Sequence, residues 1–257
     1  MFGICLLSLI AVRKEPSSKS EMTTQVLFGE LMEVLETKND FCLVRLNYDK
    51  YEGWVSRNQI YFLPEPEYRS LVSKDFLLTA ELVGKISDKN ERDDFPVLLG
   101  SSLPGIGATS FMAGPKIFSY AGMTLNPKIK RPENIRVMAY HYLGAPYLWG
   151  GKSPFGIDCS GFVQMVYFLC GYRLPRDAWQ QAEEGQALSF PEEAAEGDLA
   201  FFNNKEGKIS HVGIILKNNR IIHASGSVRI DKLDHQGIYN EMERSYSHHL
   251  RIIKKII

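Results

Sequence analysis

A cysteine set just after an aspartate, where a loop bearing Gly, Ser and Pro gives way to an apolar run, is a candidate nucleophile. The chain has one at Cys159, inside GGKSPFGIDCSGFV. The thiolate is the reactive form, and the positive end of a helix together with a nearby imidazolium can lower a cysteine pKa from about 8.5 to roughly 3.5–7.5. The run SGFVQMVYFLCG offers the helix: Phe162, Val166, Leu169 and Cys170 recur at helical spacing and Gly171 suits the C-terminal cap, which puts Cys159 at the N-terminus. Two imidazoles stand downstream, His211 in ISHVGIIL (211 − 159 = 52 positions) and His223 in RIIHASG (223 − 159 = 64 positions). The short polar turn KNN from Lys217 to Asn219 makes these two runs a hairpin and the histidines neighbours. One ring then takes the thiol proton and returns it to a leaving amine, while a second polar group fixes that ring's orientation and tautomer. His211 is the expected base and His223 its orienter. His141, His235, His248 and His249 lack comparable surroundings and are expected as ordinary surface or core side chains.

These residues need a scaffold. GDLAFF, ISHVGIIL and RIIHASG read as three antiparallel strands following the Cys159 helix, and an earlier helix is expected within Lys130 to Gly144, opened by Pro132 and closed by Gly144. From Gly3 to Leu63 short strand-like runs alternate with the turn-rich KEPSSKS, TKND and NYDKYE, the pattern of a small all-β barrel. The apolar N-terminal run counts as its first strand. A polar connection, PEPEYRSLVSKD, leads to a second β-like stretch over 76–125, with FPVLLGSSLPG and GPKIFSYAGM as its clearer pieces. The expected fold class is therefore α+β, with two small β-barrels over 1–64 and 70–128 and a catalytic domain over 131–257.

Composition narrows the partners. Thirty basic and thirty acidic residues give zero formal net charge, so no field draws the chain to nucleic acid or to an anionic membrane surface. About ten apolar residues at the N-terminus are too few to span a bilayer, and they lack a basic lead and a small-x-small cleavage site. Four cysteines without a CxxC pair argue against a disulfide framework or a structural zinc site, and Cys5, Cys42 and Cys170 are expected as buried core thiols. Neither metal nor cofactor is expected, nor an obligate protein partner.

The set APYLWGGKSPFGIDCSGFV, LPRDAWQQ, GDLAFF, SHVGIIL and IIHASG resembles the NlpC-type papain-like cysteine peptidases, which cut peptide stems of bacterial cell walls. The likeness covers roughly 132–257 and implies the catalytic order Cys159, His211, His223. Tyr147 matches a family tyrosine near the oxyanion region, where its hydroxyl could join the Cys159 backbone N–H. Ser160 matches a serine that contacts substrate or serves the helix start. Arg176 and Asp177 are expected at the rim of the cleft or as a surface ion pair. Ala178 departs from the family, where serine or threonine is common after LPR, which puts fine discrimination of the diamino-acid end in doubt.

The front half resembles bacterial SH3 domains, and two of these before such a catalytic domain resemble the gamma-D-glutamyl-L-diamino acid endopeptidase subgroup. That resemblance implies that Glu30, Tyr51 and Asp158 hold the free amine of an N-terminal L-alanine. The expected function is hydrolysis of the gamma-D-glutamyl-L-diamino acid bond of murein stem peptides freed from glycan, a recycling role in the cytoplasm. An exported hydrolase of intact wall with SH3 wall-binding modules, periplasmic if a leader was trimmed, and a non-catalytic peptide-binding protein stay open as alternatives.

Overall fold

Alternation of buried and half-buried residues along the first 63 positions builds one antiparallel sheet. Its strands are β1 (Phe2–Ile4), β2 (Leu9–Arg13), β3 (Met22–Leu27), β4 (Leu31–Lys38), β5 (Phe41–Leu46), β6 (Glu52–Ser56) and β7 (Tyr61–Leu63), in the order β3-β2-β6-β5-β4-β1-β7. The structure, a computed structural model, describes residues 1–89, 93–105, 110–114, 116–188 and 191–257; Pro115 of GPKIFSYAGM lies outside them. The N-terminal run yields two strands rather than one. A bend at Leu7 and Ser8 separates them, after Cys5 has paired with the segment before β4, its N–H donating to the Glu30 carbonyl and its own carbonyl accepting from Gly29. Cys5 and Cys42 are buried in the core of this sheet with Ile10, Val12, Val26, Val44 and Val55.

The polar connection forms a helix, α1 (Glu65–Ser73), with Pro66 in its first turn and Glu65 and Glu67 at the positive end of its dipole. Then follow β8 (Phe76–Thr79), β9 (Val83–Asp88), β10 (Asp93–Leu98), β11 (Ser102–Pro104), β12 (Ser110–Ala113), β13 (Lys116–Tyr120) and β14 (Thr124–Leu125), in two sheets ordered β10-β9-β13-β12 and β11-β8-β14. Phe28 packs edge-on against Phe111 and Phe118, so both β-rich segments contribute to one core.

The chain divides into two compact units, one of Met1–Ile129 with Trp149–Ser153 and one of Lys130–Leu148 with Pro154–Ile257. In the second, α2 (Ile135–Tyr140) and α3 (Cys159–Leu169) pack together, and α4 (Ala178–Gln181) is a single turn. The strands are β15 (Gln186–Ala187), β16 (Leu199–Asn203), β17 (Ile209–Leu216), β18 (Arg220–Ser225), β19 (Ser227–Leu233), β20 (Gly237–Asn240) and β21 (Ser245–Lys255). They run in the order β15-β21-β16-β17-β18-β19-β20, and β20 pairs with β21 as well. Every residue of α3 is buried, so this helix is central rather than amphipathic. Among the described residues no helix is long and apolar enough to cross a membrane.

Candidate active site

The N-terminus of α3 is built around Asp158. Its side chain accepts the Gly161 N–H at 2.7 Å, the N-cap bond that gives one orphan amide a partner. A buried carboxylate also needs an opposing charge. Arg176 supplies it as a fork, Nη1 donating to Oδ1 at 3.0 Å and Nη2 to Oδ2 at 2.7 Å, with a further bond from Nη1 to the Ser160 hydroxyl at 2.9 Å. Arg176 is 1% exposed, so it is neither a rim residue nor a surface ion pair, as sequence reading expected. Its long stem is taken inward because the cap has to be neutralised. Asp177 caps α4 in a reciprocal box with Gln180, and Gln181 ties the two helices by donating to the Ser160 carbonyl at 3.0 Å.

Cys159, the first residue of α3, is buried, with Sγ 3.9 Å from the carbonyl oxygen of Ser210, the neighbour of His211. The thiol is pushed up to about 12, first by burial and then by the Asp158 charge; the Arg176 charge and backbone amides pull it down less. Burial and the Asp158 charge thus favour the neutral thiol at this helix start. A neutral thiol needs a base.

The β17–β18 hairpin presents the two histidines. Asn218 and Asn219 adopt φ of 61° and 54°, the pair of left-handed residues that a tight twisted turn requires. Gly213 faces His223 across the two strands, and a Cβ there would meet the His223 Cβ at 2.9 Å. The glycine of SHVGI thus gives the His223 side chain its room. His211 Nε2 and His223 Nδ1 are 2.8 Å apart, and His223 Nε2 lies 2.9 Å from Asp231 Oδ2 on β19. The other Asp231 oxygen accepts from Arg229 at 2.8 Å. Burial alone would push the Asp231 carboxyl up, but the bonds from His223 and Arg229 hold it below its usual value. Burial, followed by the neighbouring His248 and His223, holds His211 well below an ordinary histidine, so its ring is neutral at pH 7 and able to accept a proton.

His248, expected as an ordinary side chain, stacks on His211 with ring centroids 4.0 Å apart and planes 23° apart; burial pushes it down to about 4. Its strand β21 went unrecognised in the sequence, and so did Asp231, although polar and apolar residues alternate over SVRID. The ring nitrogens of His211, His223 and His248 lie within 4.8 Å of one another, close enough to share a metal ion, but the stacked rings of His211 and His248 do not converge on one point.

Tyr147 lies in the same unit, partly exposed. Burial, and then the negative forms of Cys159 and Asp158, raise its hydroxyl pKa, so it stays a donor. In the first unit, Glu30 is buried, accepts the Leu27 N–H at 2.6 Å through Oε2 and pairs through Oε1 with Lys152 Nζ at 3.2 Å. Tyr51 packs partly buried against the first sheet's core, and its N–H donates to Asp49.

A capped helix presenting a thiol, with an imidazole chain on the strands behind it, is the architecture of a papain-like cysteine peptidase. The chain belongs to the NlpC/P60 family. The family model matches residues 144–247, and a bacterial dipeptidyl-peptidase SH3 domain matches residues 12–60. A probable endopeptidase of Haemophilus influenzae is 35% identical over 127 residues, 49% of this chain and 78% of that one. The gamma-D-glutamyl-L-lysine dipeptidyl-peptidase of Bacillus subtilis is 28% identical over 217 residues, 78% of this chain and 71% of that one. Among solved structures, an NlpC/P60 family protein from Bacillus cereus superposes with a TM-score of 0.84 at 20% identity, covering 100% of this chain and 99% of that one.

Proposed function

We propose that the chain hydrolyses the gamma-D-glutamyl-L-diamino acid bond of murein stem peptides whose L-alanine amine is free, releasing L-Ala-gamma-D-Glu, and that it does so in the cytoplasm as a recycling enzyme. The observation that carries the chemistry is the buried Cys159 thiol at the capped start of α3, beside the strand that bears His211. The substrate class is supported by the named activity of the Bacillus subtilis relative.

His211 takes the Cys159 proton as sulfur attacks the gamma-carbonyl carbon, and the charge passes to the carbonyl oxygen. The Cys159 N–H and the Tyr147 hydroxyl donate to that oxyanion. The C–N bond then breaks, and His211 gives its proton to the departing amine. Water attacks the thioester, His211 accepts its proton, and the dipeptide leaves with the thiol restored. Asp158 holds the helix start, and its carboxylate is the charge in this unit that a substrate amine would meet.

Mass spectrometry of L-Ala-gamma-D-Glu-diaminopimelate, incubated with the wild type and with Cys159→Ala, tests this alongside the same peptide acetylated on alanine. Cleavage of the free peptide by the wild type alone is the expected result. Turnover by Cys159→Ala would remove the nucleophile, and equal cleavage of the acetylated peptide would remove the amine requirement.

A further inference from the structure

The imidazole pair is continued by two further groups, Asp231 and Arg229, and the hydrogen-bond directions along the chain can be solved from its far end. We propose that Asp231, acting through His223, is a positioning residue that decides which nitrogen of His211 is free to take the thiol proton, and that Arg229 makes this choice strict. The inference rests on His211 being the base for Cys159.

An ionised carboxylate only accepts, so the 2.9 Å contact obliges His223 to carry its proton on Nε2. A neutral imidazole has one donor and one acceptor nitrogen, which leaves His223 Nδ1 as an acceptor. Across the 2.8 Å contact His211 must then donate from Nε2. The proton of the neutral His211 ring is thereby spent on His223, and its Nδ1 carries the free lone pair. The tautomer of the base is set two side chains away, at the buried Asp231.

Arg229 adds a constraint of its own. A guanidinium only donates, and its 2.8 Å bond obliges the Asp231 Oδ1 position to be an acceptor. In Asp231→Asn the amide oxygen must face Arg229, so the NH2 group faces His223 Nε2. Each step then reverses: His223 protonates on Nδ1 and donates to His211 Nε2, and the His211 proton moves to Nδ1, the nitrogen that should be empty. The backbone favours the relay over chance contact, since His223 pairs with Arg229 across β18 and β19 and Asp231 lies two residues further along the same face. Asp231 is 7% exposed.

The test combines kinetics on L-Ala-gamma-D-Glu-L-lysine with histidine-ring 15N NMR of the full chain. In Ser-His-Asp enzymes the analogous Asp→Asn change costs about 10⁴ in kcat through the wrong tautomer; with one more ring in the relay, Asp231→Asn is expected to lower kcat by at least ~10²-fold at nearly constant KM. Its His223 signal moves from the Nε2–H to the Nδ1–H pattern. Asp231→Glu, which keeps the acceptor, retains the wild-type tautomer. Adding Arg229→Met to Asp231→Asn frees the amide to turn its oxygen toward His223 and recovers at least ~10-fold of the lost kcat, which a purely structural role for Asp231 would not produce. Unchanged kcat or an unchanged His223 tautomer in Asp231→Asn overturns the inference, as does a double variant no faster than the single. Turnover by Cys159→Ala or His211→Gln would instead overturn the catalytic reading on which it rests.

Discussion

Two buried carboxylates, one in each unit, were both expected to hold a substrate amine, and each is already paired with a cation of its own chain. Asp158 meets a guanidinium that grips both of its oxygens and the neighbouring Ser160, and it caps α3 besides. Glu30 meets a single ammonium through one oxygen at 3.2 Å, with the Tyr48 ring 5.8 Å from the same Lys152 nitrogen. The difference is one of geometry. A planar fork fixes direction, whereas an ammonium is a point charge on a flexible stem. The first pair is suited to holding the helix start rigid at Cys159; the second neutralises the carboxylate of a turn through one contact.

Removing the cations separates the two most sharply. Arg176→Met leaves Asp158 buried and unpaired and is expected to cost about 3–5 kcal/mol of unfolding free energy, with loss of activity. Lys152→Met should cost less, because a single contact is lost; equal costs in urea denaturation would erase the distinction.

A gentler change keeps the charge. Arg176→Lys retains the ion pair but gives up the second bond to the carboxylate, an expected loss of about 1.5–3 kcal/mol. Lys152→Arg, with the charge also kept, is expected to cost less than that. Denaturant midpoints of the two conservative variants, measured together, show whether the fork or only the charge matters.

Acid is the mildest probe. All six histidines lie in the second unit, and burial there holds His211 well below 6.5 and His248 at about 4. Below about pH 6.5 the unfolded chain therefore binds protons that the folded unit refuses, so stability present at neutral pH is lost as pH falls. Amide exchange at pH 7.0 and 5.5 should show protection falling in β17, β18 and β21 while the first sheet holds. Parallel loss in both units would show that the histidines are not the cause.

Much of this was legible in the chain. The apolar spacing of SGFVQMVYFLCG, closed by Gly171, located α3, and the KNN turn located the hairpin that joins His211 to His223. Such local signals survive because helix periodicity and turn chemistry are decided within a few residues. What was missed lies further apart. Arg176 was expected at the cleft rim or in a surface ion pair because nothing in LPRDAWQQ announces an acceptor 18 positions upstream. His248 and Asp231 sat in strands whose partners were unrecognised, so their approach to the imidazole pair had no sequence signal.

By itself the sequence determined the helix that Cys159 begins, the hairpin that brings His211 and His223 together, and the β-rich character of the first half, because each follows from residue type and short-range spacing. Only the tertiary structure decided the protonation of the site. Burial keeps the Cys159 thiol neutral, Arg176 neutralises the cap, and Asp231 orders the ring protons from 72 positions beyond the cysteine (231 − 159 = 72). Desolvation and charge pairing depend on which groups folding brings together, and that is not written at any one position of the chain.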